Sequence, residues 1–212
     1  TNNFVDFESS YSVPQNDFTI STWLKTTHST NNSGNWFYVM GNSDGTNDLG
    51  FGLFIFGDGK VRFTVAFNGE QGHVESSEGV DYLTVNDGLW HNIVITRNSV
   101  SGEIKLFIDG VFIANNESYL FANESLSQDL IGTMPDNNFR LSRQGTAFHG
   151  QLNNIFILDE TLSSLEIESI YTSGIGVLDD PSISAYWKSN EGNGDLLYDY
   201  SIYQNHGTII GA

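Results

Sequence analysis

The chain has 212 residues, 26 acidic against 8 basic side chains, a formal net charge of −18, and no cysteine. That charge excludes a nucleic-acid partner, which needs clustered Lys and Arg against the phosphates, and adhesion to anionic lipid; the missing cysteines exclude disulfides, thiolate metal sites and a thiol nucleophile. No run of 18 apolar residues is present, so no membrane insertion is expected, while 15 Phe, 9 Tyr and 4 Trp supply enough apolar bulk for the core of one large β domain.

In chain order, Phe18, Ile20, Thr22 and Leu24 alternate with Thr19, Ser21, Trp23 and Lys25 over residues 17–26, the period-two pattern of a half-buried strand. A second strand is expected at 35–41. Residues 49–69 read as two strands around Gly57-Asp58-Gly59, a hairpin signal. In the second of them Val61, Phe63, Val65 and Phe67 face one way and Lys60, Arg62, Thr64 and Ala66 the other. Further strands follow at 90–98, at 102–114 with a tight turn at Asp109-Gly110, at 137–143 and at 148–160. One helix is predicted near 162–173. Leu162, Leu165, Ile167, Ile170 and Tyr171 stand near helical spacing, Ser163 or Ser164 can cap its start, and Gly174 can end it. It is short enough to be only a lid over one end of a sandwich. Residues 177–183 read as a crossing segment, 184–189 as a strand, and Thr208–Ile210 as a closing strand. About ten antiparallel strands joined by hairpin turns, with one short helix, indicate an all-β jelly-roll sandwich of two sheets.

Three stretches carry a more specific signal together: "DFTISTWLKT", "DGLWHNIVITRNSVSGEIKLFIDGVFIA" and "FHGQLNNIFILDETLSSLEIESIYTSG". Their order and spacing over residues 4–174 resemble the laminin-G-like, concanavalin-A-like jelly-roll family, which includes carbohydrate-binding modules, adhesin lectin domains, receptor-binding modules and a few catalytic domains. The last segment, residues 184–212, resembles a piece that in many members precedes the first strand. Either it closes the same domain from the other end, making 1–212 a single domain, or it begins a following repeat; neighbouring termini make the first arrangement sterically reasonable.

The acidity has two readings, solubility in a salty or extracellular setting and binding of a hard cation through carboxylate and carbonyl oxygens. In the family the turn matching Asp199–Gly207 often contributes to a bound Ca²⁺. By that resemblance Asp199 supplies a carboxylate, Ser201 and Asn205 further oxygens, and Gly207 a sharp turn. The sequence departs from the family's glycine-rich pattern by reading "SIYQN" at 201–205, and the alternative is a turn whose side chains satisfy only backbone groups. Asp44, Asn47 and Asp48 in one loop, and Asp136, Asn137 and Asn138 in another, suggest rims where Ca²⁺ meets sugar hydroxyls, or else solvated loops. Arg62, Arg140 and Arg143, with Trp36, Tyr38 or His73 nearby, suggest a sugar-binding face of stacking rings and hydrogen-bond donors, or else surface arginines paired with the many carboxylates. His91 in "LWHNI" reads as part of a structural strand. Asp6 and Glu8 lack the third acid that a hydrolase of this fold places on one strand. Sequons at Asn31, Asn116 and Asn123 matter only in a eukaryotic source.

The expectation is a non-catalytic, extracellular, carbohydrate-binding adhesion module with Ca²⁺ as structural ion and ligand bridge. Its partner is a glycan or polysaccharide, or a cell-surface glycoprotein. Opening in mid-pattern at "TNNFVDF", the chain reads as a domain of a larger secreted or bacterial cell-surface protein. A protein- or peptide-binding module and a glycoside hydrolase or lyase are the alternatives.

Overall fold

The described residues of the computed structural model are 4–7, 16–30, 34–42, 50–67, 70–76, 83–117, 139–142, 146–174 and 182–211. Along them run β1 (Phe4–Asp6), β2 (Phe18–Lys25), β3 (Trp36–Gly41), β4 (Gly50–Phe56), β5 (Val61–Phe67), β6 (Glu70–Glu75), β7 (Trp90–Arg97), β8 (Glu103–Ile108), β9 (Val111–Glu117), β10 (Arg140–Leu141), β11 (Gln151–Leu158), α1 (Ser164–Ser173), β12 (Ile183–Trp187), β13 (Leu196–Leu197) and β14 (Gly207–Ile210). They build an eight-stranded sheet, β13-β14-β1-β10-β3-β4-β5-β6, and a six-stranded sheet, β12-β11-β2-β7-β8-β9. The result is the expected antiparallel jelly-roll sandwich.

Alternation sets the core. Phe18, Ile20 and Leu24 from β2 and Ile93 and Ile95 from β7 meet Phe51, Leu53, Ile55, Val61, Phe63 and Val65 from β4 and β5 between the sheets. The β8–β9 turn is closed by Asp109 (φ 53°) and Gly110 (φ 77°), both left-handed as a primed hairpin turn requires. Residues 184–212 contribute to both sheets: β12 lies antiparallel to β11, and β14 to β1 in the register Phe4↔Ile210, Val5↔Ile209, Asp6↔Thr208.

The structure corrects several sequence expectations. Strand β2 is buried on both faces: Thr19 and Ser21, on the side read as solvent-facing, are fully buried. Residues 160–173 lie over that side. The Thr19 hydroxyl donates to the Glu160 carbonyl (2.7 Å) and accepts from the Leu162 amide (3.0 Å). Val94, Phe107, Phe156 and Leu158 form there a second apolar cluster with Leu162, Ile167 and Ile170. The helix therefore seals the outer face of the six-stranded sheet and is no end lid. Its cap is Ser163, in a reciprocal capping box with Glu166. Leu162 precedes the helix, Leu165 is exposed, and Tyr171 stacks on Trp23 with ring centroids 5.6 Å apart. Ala66, assigned to the solvent side of β5, is buried. Strands β6 and β13 went unpredicted: "EQGHVE" is polar with a central glycine, and β13 has only two residues.

Candidate functional site

The outer face of the eight-stranded sheet has no helix over it among the described residues. Pairing puts specific side chains there. Trp36 lies opposite Phe56, Tyr38 opposite Phe54, and Phe54 opposite Arg62; Arg62 lies opposite Glu75, and Thr64 opposite His73. The sheet thus brings Trp36, Arg62 and His73, three of the sequence-predicted ligand residues, onto one face. Tyr38 and Phe54 are buried beneath, the Phe54 ring at right angles to Trp36 (5.1 Å) and to Tyr38 (5.4 Å). Above them the Arg62 guanidinium lies 4.7 Å from the centroid of the Phe56 ring and is ion-paired with Glu75. Lys60 joins through Glu75 at 4.0 Å and also pairs with Asp58 at 3.1 Å. Half-buried rings beside a fixed guanidinium–carboxylate pair offer stacking surface, donors and acceptors together, which is what a sugar ring with its hydroxyls uses. Arg140, on the same sheet, pairs with Asp6 at 3.1 Å. The other predicted ligand residues, Asp44, Asp48, Asp136, Asn137 and Arg143, lie outside the described residues, as do Glu8, Asn31 and Asn123. Asn116 donates its amide to the His73 carbonyl (2.6 Å).

The closing turn, residues 198–206, is organised around Asp199, which is 5% exposed. Its Oδ1 accepts from the amides of Tyr186 and Ser201 (both 2.8 Å), and its Oδ2 from the Ser201 hydroxyl and the Asn205 amide (both 2.8 Å). A carboxylate has about four lone-pair directions, and these donors fill them. The Asn205 carbonyl accepts from the Trp187 indole (2.9 Å) and its side-chain amide donates to the Ser184 carbonyl (3.3 Å). A shell of six to eight oxygens for Ca²⁺ would have to displace these bonds. As arranged, Asp199, Ser201 and Asn205 fit a hydrogen-bonded turn and not a calcium shell. Among the described residues no three His, Cys, Asp or Glu gather in a group that could hold a metal. Gly207 is not the expected sharp turn. It opens β14 without a positive φ, and the left-handed residue is Gln204 (φ 56°). Glycine is needed at 207 for space, because a Cβ there would sit 2.5 Å from Val5 Cγ1 and 2.6 Å from Phe7 Cε1.

What this turn displays was missed by sequence reasoning. Tyr198, Tyr200, Ile202 and Tyr203 are all exposed, Ile202 by 81% and Tyr203 by 56%. Tyr200 also faces Tyr186, with centroids 6.3 Å apart. Tyr186 donates its hydroxyl to Asn154 Oδ1 (3.1 Å), and burial, with the nearby Tyr200, pushes its pKa up. The signal was present as tyrosines at 198, 200 and 203, but their spacing alternates around a buried aspartate, so it resembled a strand end.

His91 binds Asp109 Oδ2 through Nδ1 (2.8 Å) and Asp87 Oδ1 through Nε2 (3.1 Å). Burial opposes its charge, but the hydrogen bonds and charges of the two aspartates outweigh burial and raise its pKa above the usual imidazole value. With both ring nitrogens engaged, the imidazole offers neither a free base nor a ligand atom. A cavity of about 410 Å³ opens between β1, β14 and the start of β11, walled by Val5, Leu141, Phe148, Leu152 and Ile209. Ser142, Ser189, Glu191 and Asn193 line it as well, so it sets hydrogen-bonding side chains beside an apolar wall. No helix among the described residues is long and apolar enough to cross a membrane.

Comparison with known proteins gives the same fold. Non-toxic nonhemagglutinin type E of Clostridium botulinum is 24% identical over 160 residues, 76% of this chain, which spans only 12% of that protein. A putative carbohydrate-binding protein of Bacteroides ovatus superposes with a TM-score of 0.67 at 15% identity, over 100% of this chain and 56% of that one. The CBM40 of the Ruminococcus gnavus IT-sialidase, bound to α2,3-sialyllactose, superposes with a TM-score of 0.56 at 16% identity, over 81% and 94% of the two chains. The matching family model covers residues 1–168, and the chain belongs to the family it describes, the concanavalin A-like lectin/glucanases superfamily.

Proposed function

We propose that the chain is a non-catalytic glycan-binding module that reads its ligand on the outer face of the eight-stranded sheet. The observation carrying this reading is the row of Trp36, Phe56, Arg62, Glu75 and His73 on a face that no helix crosses among the described residues, held in register by β3–β6. The Trp36 and Phe56 rings take the apolar face of a sugar, and the Arg62–Glu75 pair exchanges hydrogen bonds with its hydroxyls. The sialyllactose bound by the CBM40 relative supports the ligand class. An adhesion role at an extracellular surface, on a glycan or a cell-surface glycoprotein, follows from the same proposal.

Calcium, which the family resemblance implies, would have to come from carboxylates other than Asp199. Asp44, Asp48 and Asp136 are the sequence's candidates. A glycan array run in Ca²⁺ and in EDTA tests both parts. Binding that falls at least tenfold in Trp36→Ala and Arg62→Gln is expected for contacts at the centre of a site. An array without a hit, or hits unchanged in both variants, removes the reading. Equal binding in EDTA, with an unshifted melting temperature, removes the ion.

A further inference from the structure

We propose that the 198–203 turn is a second binding surface, which takes a saccharide bearing an anionic group: the anion meets the Lys188 ammonium and the sugar ring lies on the exposed tyrosines. The first observation is electrostatic. In a chain with 26 acidic and 8 basic residues, a cation ordinarily finds a carboxylate. Lys60 has Asp58, Arg62 has Glu75, Lys105 has Glu103 and Arg140 has Asp6. Arg97 is buried, with its Nη1 on the Asn16 carbonyl. Among the described residues Lys25 and Lys188 are the exceptions, and only Lys188 lies over aromatic rings. Its ammonium is 4.2 Å from the Tyr200 centroid and 5.6 Å from that of Tyr186. An aromatic face steers an ammonium but accepts few of its hydrogen bonds, so the charge stays open to an incoming anion.

The second observation is exposure. Thirteen large hydrophobic side chains are exposed among the described residues, and six of them, Leu196, Tyr198, Tyr200, Ile202, Tyr203 and Ile210, fall within residues 196–210. Such a concentration marks a contact surface. Three of the six are tyrosines, whose rings stack on sugar C–H faces while their hydroxyls exchange hydrogen bonds. The third observation is rigidity. The four bonds to Asp199 fix the backbone that carries these rings, so little ordering entropy remains to be lost on binding. Screening at physiological ionic strength limits the repulsion of distant carboxylates to about 8 Å, and the two carboxylates at the turn are engaged, Asp199 by its four donors and Glu191 by the Tyr198 amide (3.0 Å). The surface adjoins β12 and β13, at the opposite margin of the eight-stranded sheet from β4–β6, so it acts independently of the face proposed above.

The test titrates the full chain with lactose, sialyllactose and sulfated lactose, followed by amide NMR. Expected are shifts among residues 186–206 for an acidic probe and much weaker ones for lactose. Lys188→Gln should weaken the acidic probe about fivefold, the size of one exposed charged contact, and Tyr203→Ala should weaken it too, whereas Trp36→Ala should leave these shifts unchanged. A response to only one acidic probe supports the proposal and names the anion as carboxylate or sulfate. The proposal is overturned if neither acidic probe shifts residues 186–206, if lactose binds there equally well, or if Lys188→Gln binds as wild type. Failure of the sheet-face reading shows separately, as array binding insensitive to Trp36→Ala.

Discussion

Asp109 and Asp199 each sit in a tight turn beside a strand, and each accepts the backbone amide of a neighbouring strand, Asn92 for one and Tyr186 for the other, both at 2.8 Å. Their remaining oxygen valences differ. Asp109 spends Oδ2 on His91, a ring that can donate or accept and that Asp87 holds from its other side. Asp199 spends its own on Ser201 and Asn205, inside its own turn, and three of its four donors are fixed backbone amides. One carboxylate thus ties a hairpin to a titratable group. The other builds a rigid shelf with exposed tyrosines on it. Either could be mistaken in the sequence for chemistry, a catalytic pair or a calcium ligand, and in both the geometry is that of a scaffold.

The same substitution at both positions should separate them. In Asp199→Asn the new NH₂ points at donors. The Ser201 hydroxyl can rotate away, but the amides of Tyr186, Ser201 and Asn205 cannot, so at least one buried donor pair is left opposed. A loss of about 3 kcal/mol in urea unfolding is expected from unsatisfied buried groups, with weaker binding at the tyrosine turn. In Asp109→Asn the retained Oδ1 still accepts from Asn92, the new NH₂ can donate to neutral His91, and asparagine tolerates the left-handed φ of 53°. About 1 kcal/mol is expected there. Equal losses at the two positions would refute the distinction.

The sandwich was legible because alternation on β2, β4, β5 and β7 is written in large apolar residues, and a two-residue period leaves little freedom about which face is inside. Burial on both sides of β2 was not legible. Thr19 and Ser21 are small and polar, and only the capping of α1 at Ser163 brings Leu162, Ile167 and Ile170 over them. At the site, Trp36, Arg62 and His73 could be chosen as residues, but their shared face depends on the register in which β3, β4, β5 and β6 pair, including the shift between Tyr38 and Met40. The role of Asp199 was hidden for a related reason. A ligand carboxylate and a saturated one have the same sequence, and the difference lies in the Tyr186 amide arriving from another strand.

The smallest expected effects are those of pH, and they sharpen the contrast through two histidines of opposite sign. His91 has its pKa raised in the fold. Its charged form therefore stabilises fully below about 6.5, the ordinary imidazole value, and that contribution is lost as pH rises through the folded pKa. His28 stacks on His149 with ring centroids 4.6 Å apart, and burial, then the neighbouring imidazole, lowers its pKa. Above about 6.5 it costs nothing. As pH falls below that, the unfolded chain takes up a proton the folded chain resists, and stability declines. Urea midpoints measured across this range should therefore show two opposed contributions in the wild type. His91→Gln should remove the acid-side gain and expose the decline, while His28→Gln should do the reverse. Asp109→Asn should reduce the slope in the direction of His91→Gln without matching it, since Asp87 still holds the ring, whereas Asp199→Asn, whose carboxylate meets only backbone amides and a hydroxyl, should shift the whole curve down without changing its shape. A change of slope in Asp199→Asn matching that in Asp109→Asn would show that the two turns are electrostatically alike after all.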